Sequence, residues 1–188
     1  MKYYLIFSIL FFVLTSNVTI SQKREFGINL GYGHSNELDD FSKIDILYSY
    51  TPTEAPFSFK TGFSYDYFKN TNSNFSFGRI PVGLDFSLGN KVQFIVGAGL
   101  NSSILLNSNT DNQDFNASKT FIQIGYYTNI GLCVSLNSKY SILLQTQYHQ
   151  DFTPLYFENR NTSIGKDYSV DVKLKSYFLS LGIKYKLE

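Results

Sequence analysis

Four charged side chains, Lys60, Asp66, Arg79 and Asp85, sit in neighbouring segments where every second residue is aromatic or aliphatic. Lys60 and Asp66 interleave with Phe59, Phe63, Tyr65 and Tyr67, and Arg79 and Asp85 with Ile80, Val82, Leu84 and Phe86. Opposite charges on one face of adjacent strands attract and hold register. Enclosed in a narrow space they are tolerable only as pairs. A chain reversal centred near Asn72 sets Asp66 against Arg79 and Lys60 against Asp85. Along an open pore the same four groups would act on passing ions instead.

Other chemistry is sparse. The two histidines, His34 and His149, lie far apart without ligand spacing, so no metal site is expected. Cys133 is the only cysteine, which excludes a disulfide within the chain. No glycine-rich turn follows a strand and opens a helix, so no phosphate-bearing cofactor is expected. A net charge of +1 gives no basic field for nucleic acid.

The elements that must position these residues follow from a two-residue alternation running from Phe26 to Leu187. Phe26, Ile28, Leu30 and Tyr32 interleave with Gly27, Asn29, Gly31 and Gly33, and Ile130, Leu132 and Val134 with Asn129, Gly131, Cys133 and Ser135. Period two means strands. The polar set is too small to cover a water-facing surface but suits a crowded lumen. The bulky apolar set then faces outward, and a closed sheet with an apolar exterior has lipid as its solvent. A soluble lipocalin-like barrel would need the two faces exchanged. The predicted fold class is all-β: a single eight-stranded antiparallel up-and-down transmembrane β-barrel. Its strands are expected near residues 25–34, 44–50, 57–68, 75–88, 92–106, 120–136, 140–152 and 173–187. In the fourth, the apolar phase changes at Gly78, which predicts a bulge there.

Connections sort by length. Links 51–56, 89–91 and 137–139 are short turn sequences, whereas 35–43, 69–74, 107–119 and 151–172 are mostly longer and rich in Asn, Ser, Thr and Asp. Short turns on one rim and long loops on the other are the asymmetry of outer-membrane barrels. Aromatics, 18% of the chain with no Trp, divide into two predicted belts. Tyr48, Tyr50, Phe57, Phe59, Phe94, Tyr140 and Tyr185 fall near the periplasmic rim; Tyr32, Tyr65, Tyr67, Phe75, Phe77, Phe121, Tyr148 and Phe152 fall near the outer one.

Residues 1–21 read as a secretory signal. Lys2 precedes an apolar run from Tyr3 to Leu14, and Thr19 and Ser21 are small enough for the −3 and −1 positions before Gln22. The run is too short for a permanent spanning helix. Residues 22–188 are then the barrel domain.

The stretch Arg79–Ile80–Pro81–Val82–Gly83–Leu84–Asp85–Phe86, followed by Phe94–Ile95–Val96–Gly97–Ala98–Gly99–Leu100, resembles the Ile-Pro strand and Gly-x-Gly strand of the PorT-like outer-membrane β-barrel family. Gly131–Leu136, Gln145–Tyr148 and Leu181–Tyr185 fit the same pattern. The resemblance implies an eight-stranded barrel in the outer membrane of a Gram-negative cell and no particular chemistry. The terminal Lys186–Leu187–Glu188, where an aromatic is usual, implies a weaker assembly signal.

Three roles are compatible with these features. A structural or surface-interaction protein with a filled lumen comes first, a narrow passive channel second, and a lipid-modifying enzyme third. The enzyme reading would use His149, followed by Asp151 near the outer mouth, with Ser or Asp partners in a hydrolase acting on lipopolysaccharide. Expected partners are outer-membrane lipids, lipopolysaccharide and the barrel-assembly machinery, for a chain acting as a monomer. Lys173 and Lys175 share the outward parity of Tyr177, which suits point-charge contact with lipopolysaccharide phosphates. Cleavage after Ser21 is the first testable outcome: the intact mass of membrane-extracted protein should correspond to a chain starting at Gln22, and a mass retaining Lys2 refutes it.

Overall fold

The computed structural model describes residues 23–36, 38–52, 55–70, 73–110, 115–117, 122–153, 155–161 and 166–187. The signal segment and Phe121 lie outside them. In chain order the strands are β1 (Lys23–Ser35), β2 (Asp39–Thr51), β3 (Phe57–Asn70), β4 (Ser73–Leu88), β5 (Val92–Thr110), β6 (Phe115–Ala117), β7 (Gln123–Ser135), β8 (Tyr140–Asp151), β9 (Leu155–Asn161), β10 (Lys166–Val172) and β11 (Lys175–Leu187). Eight of them close into a barrel in the order β1-β11-β8-β7-β5-β4-β3-β2, each antiparallel to its neighbours. β1 seals against β11 from Arg24↔Leu187 to Ser35↔Ser176, leaving the barrel no free edge. The barrel strands run from 12 residues in β8 to 19 in β5, beyond the roughly 9–11 that a tilted strand needs to cross a bilayer.

The two faces divide as the alternation requires. Phe26, Ile28, Leu30, Ile130, Leu132, Leu181 and Ile183 are exposed on the wall, and Asn29, Asn129, Cys133 and Ser180 are buried in the lumen. The periplasmic links are short, and Gly89 turns one of them at φ 107°, where a side chain would run into the Val92 carbonyl. Inside, Gly83 and Gly99 face each other in register. A Cβ on either would collide with the Tyr127 side chain, so this glycine pair makes the space the ring occupies.

The outer end departs from the sequence reading in four ways. First, β1 and β2 remain paired up to Ser35↔Asp39, so most of the loop expected at 35–43 is strand and Lys43 is buried in the lumen. Second, the long outer connections carry structure: β6, β9 and β10 form a separate three-stranded sheet in the order β10-β9-β6. Third, β4 keeps its phase through Gly78; the irregularity is between Ser76 and Phe77, where Ser76↔Asn107 is followed by Phe77↔Leu105 and Leu106 is the extra residue. Fourth, Phe75 and Phe77 therefore point inward and are buried rather than joining the outer belt. Apolarity marks lipid-facing positions only where the lumen is polar. Here the outer mouth is closed by an apolar cluster of Leu38, Phe41, Phe68, Phe75, Phe77, Leu174 and Phe178. Phe41 stacks on Phe68 at 4.5 Å, and Phe77 meets Phe68 edge-on at 5.5 Å.

The opposite faces of β7 give a direct test. Ile130→Arg places a charge on the lipid face and should cost about 2–4 kcal/mol near the midplane. Asn129→Ser keeps a small polar group in the lumen and should cost clearly less. Refolding titrations in lipid vesicles measure both, and the reverse ranking would mean the faces are exchanged.

Candidate functional site

Beneath the aromatic closure lies a belt of buried charge. β3 and β4 supply Lys60, Asp66, Arg79 and Asp85, as the parity of their segments predicts, and all four are buried. Lys60 Nζ donates to both carboxylate oxygens of Asp85, at 2.7 and 2.9 Å. Arg79 Nε lies 2.6 Å from Asp66 Oδ2. The partners are those expected, but the register is not. The chain reverses between Asn70 and Ser73, so Arg79 stands opposite Ser64 and Lys60 opposite Gly83. Each cation reaches diagonally, a span that long side chains bridge. The shift is two residues, and an even shift leaves every side chain on its own face.

The network extends further than these two strands. Arg79 Nη1 also lies 3.5 Å from Asp151 Oδ1, from the end of β8, so one guanidinium joins two carboxylates across the barrel. Lys60 donates to Asn129 Oδ1 on β7 at 3.3 Å. On β2, Lys43 pairs with Asp45 two residues along the same face at 3.3 Å, and its ammonium sits 3.8 Å above the Phe178 ring. Sequence reasoning missed Lys43, Asp45 and Asp151 as members. Asp45 and Asp151 carried the right parity, but their partners come from strands distant in the chain, and Lys43 lay in a segment read as loop.

His149 lies in this belt. Its ring stacks on Tyr127 at 5.6 Å and meets Phe178 at a tilt, 5.1 Å away. Asn101 Nδ2 is 3.1 Å from Nδ1 and Gln147 Oε1 is 3.2 Å from Nε2. Nε2 also lies 3.5 Å from Lys43 Nζ. Both ring nitrogens are thus engaged, and Asp151 is committed to Arg79. The expectation of a His149–Asp151 pair at the outer mouth is corrected: both residues are sealed below the phenylalanines. His34 is on the other side of the wall, exposed at the rim, with Nδ1 3.0 Å from Asp40 Oδ1.

Among the described residues, the space left in the middle of the lumen is small. The cavity among Lys43, Asp45, Lys60, Tyr127 and His149 has a volume of about 10 Å³, one water at most. Below it Ile95, Cys133 and Leu143 form an apolar layer. A polar vestibule of about 170 Å³, bordered by Glu25, Ser58, Ser141 and Lys184, opens at the periplasmic end.

At the outer rim, Lys173 and Lys175 are exposed, flanking the buried Leu174. The Leu174 carbonyl accepts from the Asp151 amide at 2.9 Å, and the Lys175 amide donates to Asn36 Oδ1 at 2.9 Å. These bonds hold both lysines on the outward face. Phenols continue the patch: Tyr148 and Tyr177 lie 4.7 Å apart, and Gln150 Oε1 accepts from Tyr148 and Tyr126 at 2.7 and 3.0 Å.

No family model matches the chain, and no curated protein matches it in sequence. Its fold is that of small outer-membrane barrels. The outer membrane protein OprG from Pseudomonas aeruginosa superposes with a TM-score of 0.64 at 11% identity, covering 90% of this chain and 97% of OprG. The outer membrane protein AlkL, solved in lipid bilayers, gives 0.63 at 11% identity, covering 93% and 94%. The outer membrane enzyme PagL gives 0.52 at 9% identity, covering 83% and 97%. At such identities the likeness establishes architecture, and because the set includes an enzyme the architecture alone decides no chemistry.

The belt makes a quantitative demand. Arg79→Ala leaves Asp66 and Asp151 without their shared cation and should cost about 3–5 kcal/mol, the usual penalty for breaking a buried pair. The midpoint of urea unfolding in vesicles should fall accordingly. An unchanged midpoint would show that the belt contributes nothing to stability.

Proposed function

We propose that this chain is a structural or surface-interaction protein of the outer membrane, non-enzymatic and monomeric, of the PorT-like kind. The observation that carries this reading is the filled lumen. Phenylalanines close the outer mouth, paired charges and a His–aromatic stack fill the middle, and an apolar layer underlies them. Such an interior holds the wall rigid and offers solutes no path. The PorT-like assignment rests on residues Arg79–Phe86 and Phe94–Leu100, which form the adjacent strands β4 and β5.

What remains for interaction is the outside. Lipids cover the apolar wall, and Lys173 and Lys175 contact lipopolysaccharide phosphates at the outer rim. The barrel-assembly machinery acts during insertion. Purified protein in a planar bilayer should give no stable single-channel steps at moderate voltage. Reproducible steps would replace this reading with that of a narrow passive channel.

A further inference from the structure

The lipid-facing wall is not evenly filled. A groove of about 1130 Å³ is bordered by two outward rows of side chains. One row follows cross-strand partners from Phe57 through Phe86, Val96, Ile130, Thr146 and Leu179 to Tyr32. The other runs from Leu84 through Ala98, Thr128 and Tyr148 to Tyr177. Between them the inward row of Asp85, Gly97, Asn129, Gln147 and Phe178 turns its side chains into the lumen and offers only backbone as a floor. Ala98, Thr128 and Thr146 are small where most of their outward neighbours are bulky, which deepens the groove in its middle. It climbs obliquely across the barrel, from the periplasmic end of β3 to the outer end of β1.

The outer end is built from fixed groups. Tyr32 donates its hydroxyl to Asp40 Oδ2 at 2.6 Å, which holds that ring at the rim, and Tyr177 packs on Tyr148 opposite. Lys175 is the next outward residue of β11 beyond Tyr177, and Lys173 the next beyond that. An apolar groove that ends under two cations and a set of phenols complements an amphiphile with an anionic head: phosphate on the lysines, sugar hydroxyls against the phenols, a hydrocarbon chain below.

We propose that the outer half of this groove, floored between Thr128 and Thr146, seats one acyl chain of lipid A, with a lipid A phosphate held by Lys175 and Lys173. The headgroup half of this assignment rests on the lysine contacts proposed above; the acyl seat is independent of them. A lipid held at both ends is a bound ligand, distinct from the lipids that exchange along the rest of the wall.

Native mass spectrometry of the full barrel in detergent tests it, with two probes: hexa-acylated lipid A carrying both phosphates, and the same molecule dephosphorylated. Wild type should retain one phosphorylated lipid A. Thr128→Phe with Thr146→Phe fills the groove while keeping the wall apolar, and should lower retention of both probes at least about tenfold by excluding the chain. Lys173→Gln with Lys175→Gln should remove the preference for the phosphorylated probe and leave the dephosphorylated one unchanged. Heat-dependent gel migration verifies that each variant is folded. If filling the groove leaves retention unchanged, the acyl seat is overturned whatever the lysines do. If only the lysine variant is without effect, the phosphate contact falls, and with it the assignment to lipid A. Should either variant fail to fold, Thr146→Leu and Lys175→Gln alone carry the same comparison.

Discussion

The pairing of β1 with β11 closes the sheet, and nearly everything else depends on that closure. Lipid offers no hydrogen bonds, so a strand can cross a bilayer only when both its edges are paired. Twelve pairs of facing residues between the first and last strands meet that demand. Closure also separates two solvents. Residues of one parity meet acyl chains, residues of the other are crowded into a lumen too narrow for bulk water, and each set is selected by its own surroundings.

The crowding explains the interior chemistry. With little water to solvate them, Lys43, Lys60 and Arg79 must each find an anion, and Asp45, Asp66, Asp85 and Asp151 answer them. Arg79 suits the position between two carboxylates because its planar fork presents donors in several directions. Glycines opposite Tyr127 make room for a ring that stacks on His149, which meets Phe178 at a tilt. The result is an interior braced from strand to strand across its width. A pore would need much of this belt removed.

The exterior supports the opposite property. Its outward residues bear no load across the lumen, so their sizes can vary, and where Ala98, Thr128 and Thr146 fall together the wall becomes concave. Lysines and phenols gather where the membrane meets the aqueous exterior. The middle of the lumen is filled, and the concave stretch of the molecule lies on the outside of its wall.

Parity is a local property, set by the alternation of neighbouring side chains, and the sequence by itself determined it. The eight barrel strands, the shared inward face of Lys60, Asp66, Arg79 and Asp85, and the short periplasmic turns were all legible there. Register is not local. The diagonal reach of Arg79 and Lys60 depends on where the chain reverses between Asn70 and Ser73, and alternation is blind to a shift of two. Contacts across the lumen are further still from the sequence. Asp151 joins Arg79 from 72 positions away, and the closure of the outer mouth draws on strands as distant as β2 and β11. Phe75 and Phe77 were misplaced for the same reason: a phenylalanine facing lipid and one facing other phenylalanines inside a barrel satisfy the same hydrophobic demand, and only the closed sheet decides which side each occupies.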